Sequence, residues 1–374
     1  MNYINFSQIF DFQKKSSIKA GDGTREGSFP FFTSSPILSK YSDSFQFDSP
    51  SLIFGTGGSA SVHICETPFS VSTDCLVAQL KSNAVRKYRI KFVYYYLLGN
   101  IWILEKGFKG AGLRHISKGY INDIEIPELP LEEQTRIVKF LEKTHALRQK
   151  RNQAIELLDN YFKSVYLSMF GDPITNKKRW PMVELKDLCS EVIDCPHSTP
   201  IYSADKTDYP CIRSSDMQGG FLDFSTTKYI DEKQHCERIR RCKPIEGDII
   251  YCREGARFGA VAYLPKDINA SLGQRTMLFR VKPNIATSEF LWGLMNNSGI
   301  SYQAAQLVNG AASPHINVKD IKQYKVFKPP LDLQATYSKI FLSSISIKQK
   351  MIAQSKELEN QFQSLMQEAF KSIL

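Results

Sequence analysis

The 374-residue sequence predicts an α+β protein built twice over, in which a mixed α/β globular domain is followed by a long helix and the pair is then repeated. Three observations predict it. The chain repeats itself at an offset of 200 residues; two stretches of about forty residues lack Gly and Pro and carry helical apolar spacing; the segments upstream of each are rich in short β-branched and aromatic runs.

The repeat comes first. Gly110-Ala111-Gly112-Leu113-Arg114-His115-Ile116 is answered by Gly310-Ala311-Ala312-Ser313-Pro314-His315-Ile316. The correspondence runs on through Ile121 and Ile321, Ile126 and Val326, Pro130-Leu131 and Pro330-Leu331, and Gln134 and Gln334. Asp123 against Gln323 shows that it is partial.

The same offset continues into the helices. Leu158, Phe162, Val165 and Met169 align with Leu358, Phe362, Leu365 and Ala369, at intervals of four, three and four. That is the spacing of a coiled-coil seam. The first helix is expected over 131–170, stopped by Gly171-Asp172-Pro173, and the second over 331–374. At ~1.5 Å per residue, forty residues reach roughly 60 Å. Helices that long need a partner for their apolar stripe, and each can serve the other.

The globular domains are expected over 1–130 and 171–330, the latter beginning with a short linker. Their strand-like runs include Ser51-Leu52-Ile53-Phe54, Cys75-Leu76-Val77-Ala78-Gln79-Leu80, Asp248-Ile249-Ile250-Tyr251 and Thr276-Met277-Leu278-Phe279-Arg280-Val281, punctuated by Gly, Pro, Asn and Ser. Shorter helices are expected at Phe92–Leu104 and Ser288–Asn296. The order does not alternate as βαβ units do, so the domains read as α+β.

Lys and Arg outnumber Asp and Glu by 48 to 38, a net charge of +10, which favours a polyanionic partner. No run approaches the 18 or so apolar residues of a membrane span. The N-terminal Met1-Asn2-Tyr3-Ile4-Asn5-Phe6 lacks the pattern of a signal peptide, so a cytoplasmic location is the default expectation. None of the eight cysteines forms a C-x2-C pair. Six lie between 189 and 252, with His197 and His235 nearby; a structural zinc is one reading, and buried thiols in a reducing compartment the plainer one.

The alternation of domain and helix resembles the specificity subunit of type I restriction-modification systems. The residues that carry the resemblance are Ile121-Asn122-Asp123-Ile124-Glu125-Ile126-Pro127-Glu128-Leu129-Pro130-Leu131-Glu132-Glu133-Gln134, similar to the family's Ile-x-x-Ile-x-Ile-Pro-x-Pro-x-x-Glu-Gln-like element leading into its helix. The second copy, Ile321 to Gln334, is more degenerate and has Leu333 in place of Glu133. Ser168-Met169-Phe170-Gly171-Asp172-Pro173 resembles the end of the family's first spacer. Asp248-Ile249-Ile250-Tyr251-Cys252-Arg253-Glu254-Gly255, with Gly259, resembles its strand and Arg-Gly loop. The first copy has Leu52-Ile53-Phe54-Gly55-Thr56-Gly57-Gly58 there, without the Arg.

The resemblance implies a non-catalytic DNA-binding subunit. It implies two target-recognition domains, each reading one half of a split asymmetric site on double-stranded DNA, held apart by antiparallel spacer helices. It also implies two methyltransferase subunits carrying S-adenosylmethionine and two restriction subunits using ATP and Mg, with no cofactor on this chain and no membrane. A related system that cuts on both sides of its site, and a coiled-coil protein-interaction scaffold, are the alternatives.

For DNA contact the candidates are Lys14, Lys15, Arg25, Lys109, Arg114 and Lys118 in the first domain. In the second they are Arg213, Arg253, Arg257, Gln274, Arg275, Asn309 and Lys319. Arg suits guanine, Asn and Gln suit adenine, and Lys suits phosphate. The glycines 55, 57, 58, 255 and 259 offer either a phosphate nest or plain hairpin turns. His115 and His315 recur at equivalent positions without a recurring nucleophile, and read as structural or loop residues. The basic cluster Lys139, Lys143, Arg148, Lys150 and Arg151 on the first helix could meet DNA, a partner subunit or solvent; Lys348, Lys350 and Lys356 are its weaker counterpart.

Catalysis is not expected. The sequence has no Asn/Asp-Pro-Pro-Tyr/Phe element and no G-x4-G-K-[ST] loop, and Pro329-Pro330 sits between Lys328 and Leu331. Glu184-x-Lys186 and Asp320-x-Lys322 are acidic-x-Lys fragments without an upstream acidic partner.

Overall fold

The computed structural model describes residues 2–112, 114–308 and 314–371. Residues up to Asn152 together with those from Ala353 onward form one compact unit, and Gln153–Ile352 form the other.

In the first unit, Tyr3–Asn5 pairs antiparallel with Glu125–Pro127, placing Ile4 opposite Ile126 just before the long helix. A four-stranded antiparallel sheet follows in the order Phe10–Phe12, Cys75–Leu80, Ser51–Gly55, Ser61–Cys65. Its strand Ser51–Gly55 is buried along its whole length, which is why Leu52-Ile53-Phe54 is continuously apolar rather than alternating. A three-stranded sheet runs Lys40–Ser42, Phe29–Phe32, Ser70–Val71. Phe6 stacks on Phe10 at 4.5 Å and meets Phe54 edge-on at 5.6 Å in the core.

The second unit repeats this plan. Met182–Glu184 pairs with Lys325–Phe327. The four-stranded sheet runs Cys189–Asp194, Thr276–Val281, Ile249–Cys252, Val261–Tyr263, and the three-stranded one Lys228–Tyr229, Pro210–Ile212, Ser271–Leu272. A small hairpin, Met217–Gln218 with Phe221–Leu222, is added. The helix Ser288–Met295 matches the sequence expectation. The helix expected at Phe92–Leu104 is instead two, Ile90–Gly99 and Ile101–Lys106. Asn100 breaks it: its side-chain amide donates to the Tyr96 carbonyl at 3.0 Å and its oxygen accepts from the Trp102 indole at 3.3 Å.

The long helices span Leu131–Phe170 and Leu331–Lys371. Glu132 and Glu133 sit in the first turn of the former, where carboxylates complement the helix dipole. Gly171, at φ +84°, ends it by returning its N–H to the Leu167 carbonyl at 2.8 Å. Gln134 and Gln334 are wholly buried one turn into the two helices. Gln134 accepts from the Arg89 N–H at 2.9 Å and donates to the Lys87 and Leu129 carbonyls, both at 2.9 Å. Gln334 accepts from the Thr287 N–H at 3.0 Å and donates to Ile285 and Pro329 at 3.2 and 2.8 Å. The Gln of the repeat is a clasp between each domain and its helix.

Within each unit the two helices run antiparallel. In the first, Arg148 pairs with Glu359, and Ser355 donates to Asn152 at 2.8 Å. In the second, Lys348 pairs with Asp159, Phe162 meets Phe341 at 5.3 Å and Tyr166 meets Tyr337 at 5.7 Å. The two ion pairs are one contact made twice, since Lys348 stands 200 residues after Arg148 and Glu359 200 after Asp159.

The apolar stripe serves both the partner helix and the domain core. Phe162 packs on Phe221, Trp292 and Phe341, with Leu158, Val165 and Met169 half-buried around the same core. Phe362 joins the first unit's core, with the Arg148 guanidinium 4.4 Å above its ring. Leu358 and Leu365 are half-buried, and the Ala369 side chain lies outside the described residues.

Candidate nucleic-acid interface

The two domains build the same rim from backbone. In the first, the Thr56 N–H donates to the Asp74 carbonyl at 2.8 Å and the Thr56 carbonyl accepts from Ile116 at 3.1 Å, while Gly57 bridges to His115. In the second, the Arg253 N–H donates to Arg275 at 3.0 Å and its carbonyl accepts from Ile316 at 3.2 Å, while Glu254 bridges to His315. One turn earlier, Ser72 donates to Phe32 and Gly273 to Ile212, both at 2.8 Å. Hydrogen bonding thus equates Thr56, Gly57 and Asp74 with Arg253, Glu254 and Arg275. The backbone is shared and the side chains are not.

In the first domain, Lys14, Lys15 and Arg25 are exposed, Lys14 and Lys15 in the segment that leaves the strand Phe10–Phe12. Lys109 is exposed and exchanges backbone hydrogen bonds with His115 at 2.9 and 3.0 Å. Arg114 is exposed but donates twice to the Phe108 carbonyl, at 3.3 and 3.0 Å. Lys118 opens the short helix Lys118–Asn122 with its ammonium 5.3 Å from the Phe12 ring. His115 Nδ1 lies 3.1 Å from the Thr56 carbonyl, a structural contact. A recess of about 540 Å³ opens between Gly58, Trp102, Lys106 and Arg114. Trp102, which sequence reasoning left inside the helix expected at Phe92–Leu104, is 42% exposed there with the Lys106 ammonium 4.2 Å over its ring.

On the second rim the arginines divide. Arg213 is committed to Asp216, with contacts at 3.2 and 2.7 Å, and to the Thr226 carbonyl at 2.6 Å. Arg253 is buried, donating to Asp194 at 2.9 Å and lying 3.3 Å from His315 Nδ1. Arg257 is exposed with one bond to the Met217 carbonyl at 3.2 Å. Arg275 is exposed, and its guanidinium has no hydrogen-bond or ion-pair partner among the described residues. Its backbone holds φ +70°, unusual for a side-chain-bearing residue. Gln274 is half-buried and donates to the His197 carbonyl and to Thr199. Lys319 is exposed on the helix Val318–Lys322, and Asn309 lies outside the described residues.

The second rim also holds residues that sequence reasoning missed. Asp194 lies 3.4 Å from His197 and anchors Arg253, while Glu254 accepts from His315 Nδ1 at 2.7 Å. Cys195, His197, Glu254, Gln274 and Arg275 line a recess of about 240 Å³. Gly255, at φ +84°, lets the chain pass Arg275: a Cβ there would sit 3.1 Å from its guanidinium. Buried Arg238 pins the neighbouring loop through the carbonyls of Pro196, Ser198 and Leu272.

Cys195 has its thiol pushed up by burial, away from a nucleophile's range. Glu184 is held below its ordinary value by Lys186 and Lys325, a surface ion triad at 2.6 and 3.0 Å. Among the described residues no three His, Cys, Asp or Glu side chains are grouped to hold a metal, and no helix is long and apolar enough to cross a membrane. Six cysteines are buried thiols, Cys236 is exposed and Cys242 half-buried.

The fold and its paired rims define a duplicated, basic reading scaffold. A family model described as the type I restriction modification DNA specificity domain matches twice, at residues 1–157 and 177–360. The MjaVIII type I restriction enzyme specificity subunit of Methanocaldococcus jannaschii is 23% identical over 74% of this chain and 68% of its own. The EcoBI specificity subunit of Escherichia coli is 20% identical over 86% of this chain and 73% of its own. The crystal structure of a type I system S subunit from M. genitalium shares the fold at TM-score 0.63, with 16% identity, 98% of this chain and 95% of that one covered. The chain belongs to the type I restriction-modification DNA specificity family. It is the non-catalytic subunit that supplies sequence specificity, a DNA-binding chain that works with modification and restriction subunits.

Proposed function

We propose that the recognition domains, residues 1–130 and 171–330, each read one half of a split asymmetric site on double-stranded DNA. The segments 131–170 and 331–374, the last three residues of the latter lying outside the described residues, act as the spacer that fixes the unread gap and as the dock for two methyltransferase subunits. S-adenosylmethionine is bound in those subunits, and two restriction subunits bring ATP and Mg to the cleaving complex. The observation that carries this reading is the duplicated rim, in which one backbone plan presents different side chains. Two such readers call for two different half-sites.

Exposure favours Lys14, Lys15, Arg25, Lys109 and Lys118 as phosphate and groove contacts in the first domain, and Arg257, Arg275 and Lys319 in the second. Arg114 keeps part of its donor capacity for DNA and Gln274 its amide oxygen, whereas Arg213 and Arg253 serve by holding the loops. Phe140 and Leu147 on the first helix, 51% and 49% exposed, support a protein dock on that face.

The test is genome-wide sequencing of methylated bases in a methylation-free host that expresses this chain with its cognate methyltransferase subunit. A split motif with a fixed gap is expected. A stable complex that methylates no split motif refutes the reading.

A further inference from the structure

Resting on that split-site reading, we infer that Glu254 and Arg275 together read one C·G base pair in the half-site of the second domain. Both line the same recess of about 240 Å³. One is an acceptor and the other a donor. In the major groove a cytosine offers its N4 amine, which a carboxylate accepts, and its guanine offers O6 and N7, which a guanidinium fork fills. A Glu beside an Arg therefore matches both edges of a single C·G pair, and no other pair sets an amine beside a two-acceptor fork on one base.

Three observations favour these two residues over their neighbours. Arg275 is the second-rim arginine whose guanidinium has no hydrogen-bond or ion-pair partner among the described residues, while Arg213 and Arg253 are occupied by Asp216 and Asp194 and Arg257 donates to the Met217 carbonyl. Its placement is built: a left-handed backbone at φ +70°, a hydrogen bond from Arg253 to its carbonyl, and a glycine at 255 that leaves room for the guanidinium. Glu254 is held through one oxygen, Oε2, by His315, and its side chain is 29% exposed. Its other oxygen has no hydrogen-bond partner among the described residues.

The first domain supplies the contrast. At the same two backbone positions it carries Gly57 and exposed Asp74, so the acceptor is absent from one place and the charge is reversed at the other. Positions whose scaffold is fixed and whose side-chain charge inverts between two readers are where base preference resides.

The experiment uses the assembled methyltransferase complex and the methylated-motif readout, with wild type, Arg275→Ala and Glu254→Gln compared. A wild type with no split motif sinks the underlying reading. If wild type has its motif, both variants are expected to relax the same single C·G pair, with discrimination there falling about ten- to a hundredfold. The gap and the other half stay unchanged. The inference is overturned if the variants keep the parent motif, or if that half contains no C·G pair. It is equally overturned if Arg275→Ala weakens binding uniformly and lowers the salt slope by about one, since that marks a phosphate contact. Should Glu254→Gln disturb His315 and prevent assembly, Arg275→Ala decides alone.

Discussion

Replacing Gln134 with Ala tests how each recognition domain is fastened to its helix. The side chain is fully buried and satisfies the Arg89 N–H and the Lys87 and Leu129 carbonyls, each at 2.9 Å. Truncation leaves one donor and two acceptors without this partner, and a buried orphan costs about 1–3 kcal/mol. The adjoining recess beside Lys87, Tyr88, Leu129 and Pro130 admits water and offsets part of that sum. We expect a loss of about 3 kcal/mol, a large share of the ~5–15 kcal/mol that holds a domain folded. Hydrogen exchange across a urea series reads it locally. Protection should fall in the helix Ile90–Gly99 and hold in Ser288–Met295. Gln334→Ala should give the mirror result. A loss under about 0.5 kcal/mol, or one spread evenly over both helices, refutes the clasp.

Inserting four helical residues in both long helices, beside Asn152 and beside Ile352, adds about 6 Å and should widen the unread gap by one or two base pairs; an unchanged gap in the methylated motif contradicts the spacer role. Asp159→Asn leaves the ammonium of Lys348, 7% exposed, without its carboxylate, and should cost about 3 kcal/mol in urea unfolding, whereas Lys348→Met keeps contact with the Phe221 ring and should cost less. Burial pushes Cys189 up to about 12 and Cys75 and Cys211 up to about 11. Because these values are raised by folding, the thiols add stability that is complete below the unfolded thiol pKa near 8.5 and is lost as pH rises through 11 to 12. Native alkylation at pH 8, followed by peptide mass spectrometry, should therefore mark Cys236 first and spare these three.

The helices were legible because a four-three-four stripe without Gly or Pro has one regular solution, and the Pro-Leu-x-x-Gln start recurs with it. The role of the Gln was not, because Arg89 and Thr287 lie 45 and 47 residues away in the chain. The break at Asn100 hid for the opposite reason. Its competing hydrogen bonds are local, and apolar periodicity runs through them. Among the candidate readers, Arg213 with Asp216 three residues on carried a visible warning of a local ion pair. Arg253 carried none, since Asp194 is 59 residues distant and meets it only across the folded sheet. Glu254 was passed over because a basic chain directs attention to its cations, although a base edge presents amines as well.

The exchange of helix halves also orders events during synthesis. The unit Gln153–Ile352 is one unbroken stretch of chain and holds every residue of its core. The other unit closes only when Phe362, Met366 and Phe370 arrive, and Phe370 lies against Phe92 and Tyr96 at 5.9 and 5.5 Å. The domain that leaves the ribosome first is thus the one that finishes last, with an apolar face uncovered while some two hundred further residues are made. A chain truncated after Ile352 should hold a folded second domain and an unfinished first one, the reverse of the usual N-terminal-first order.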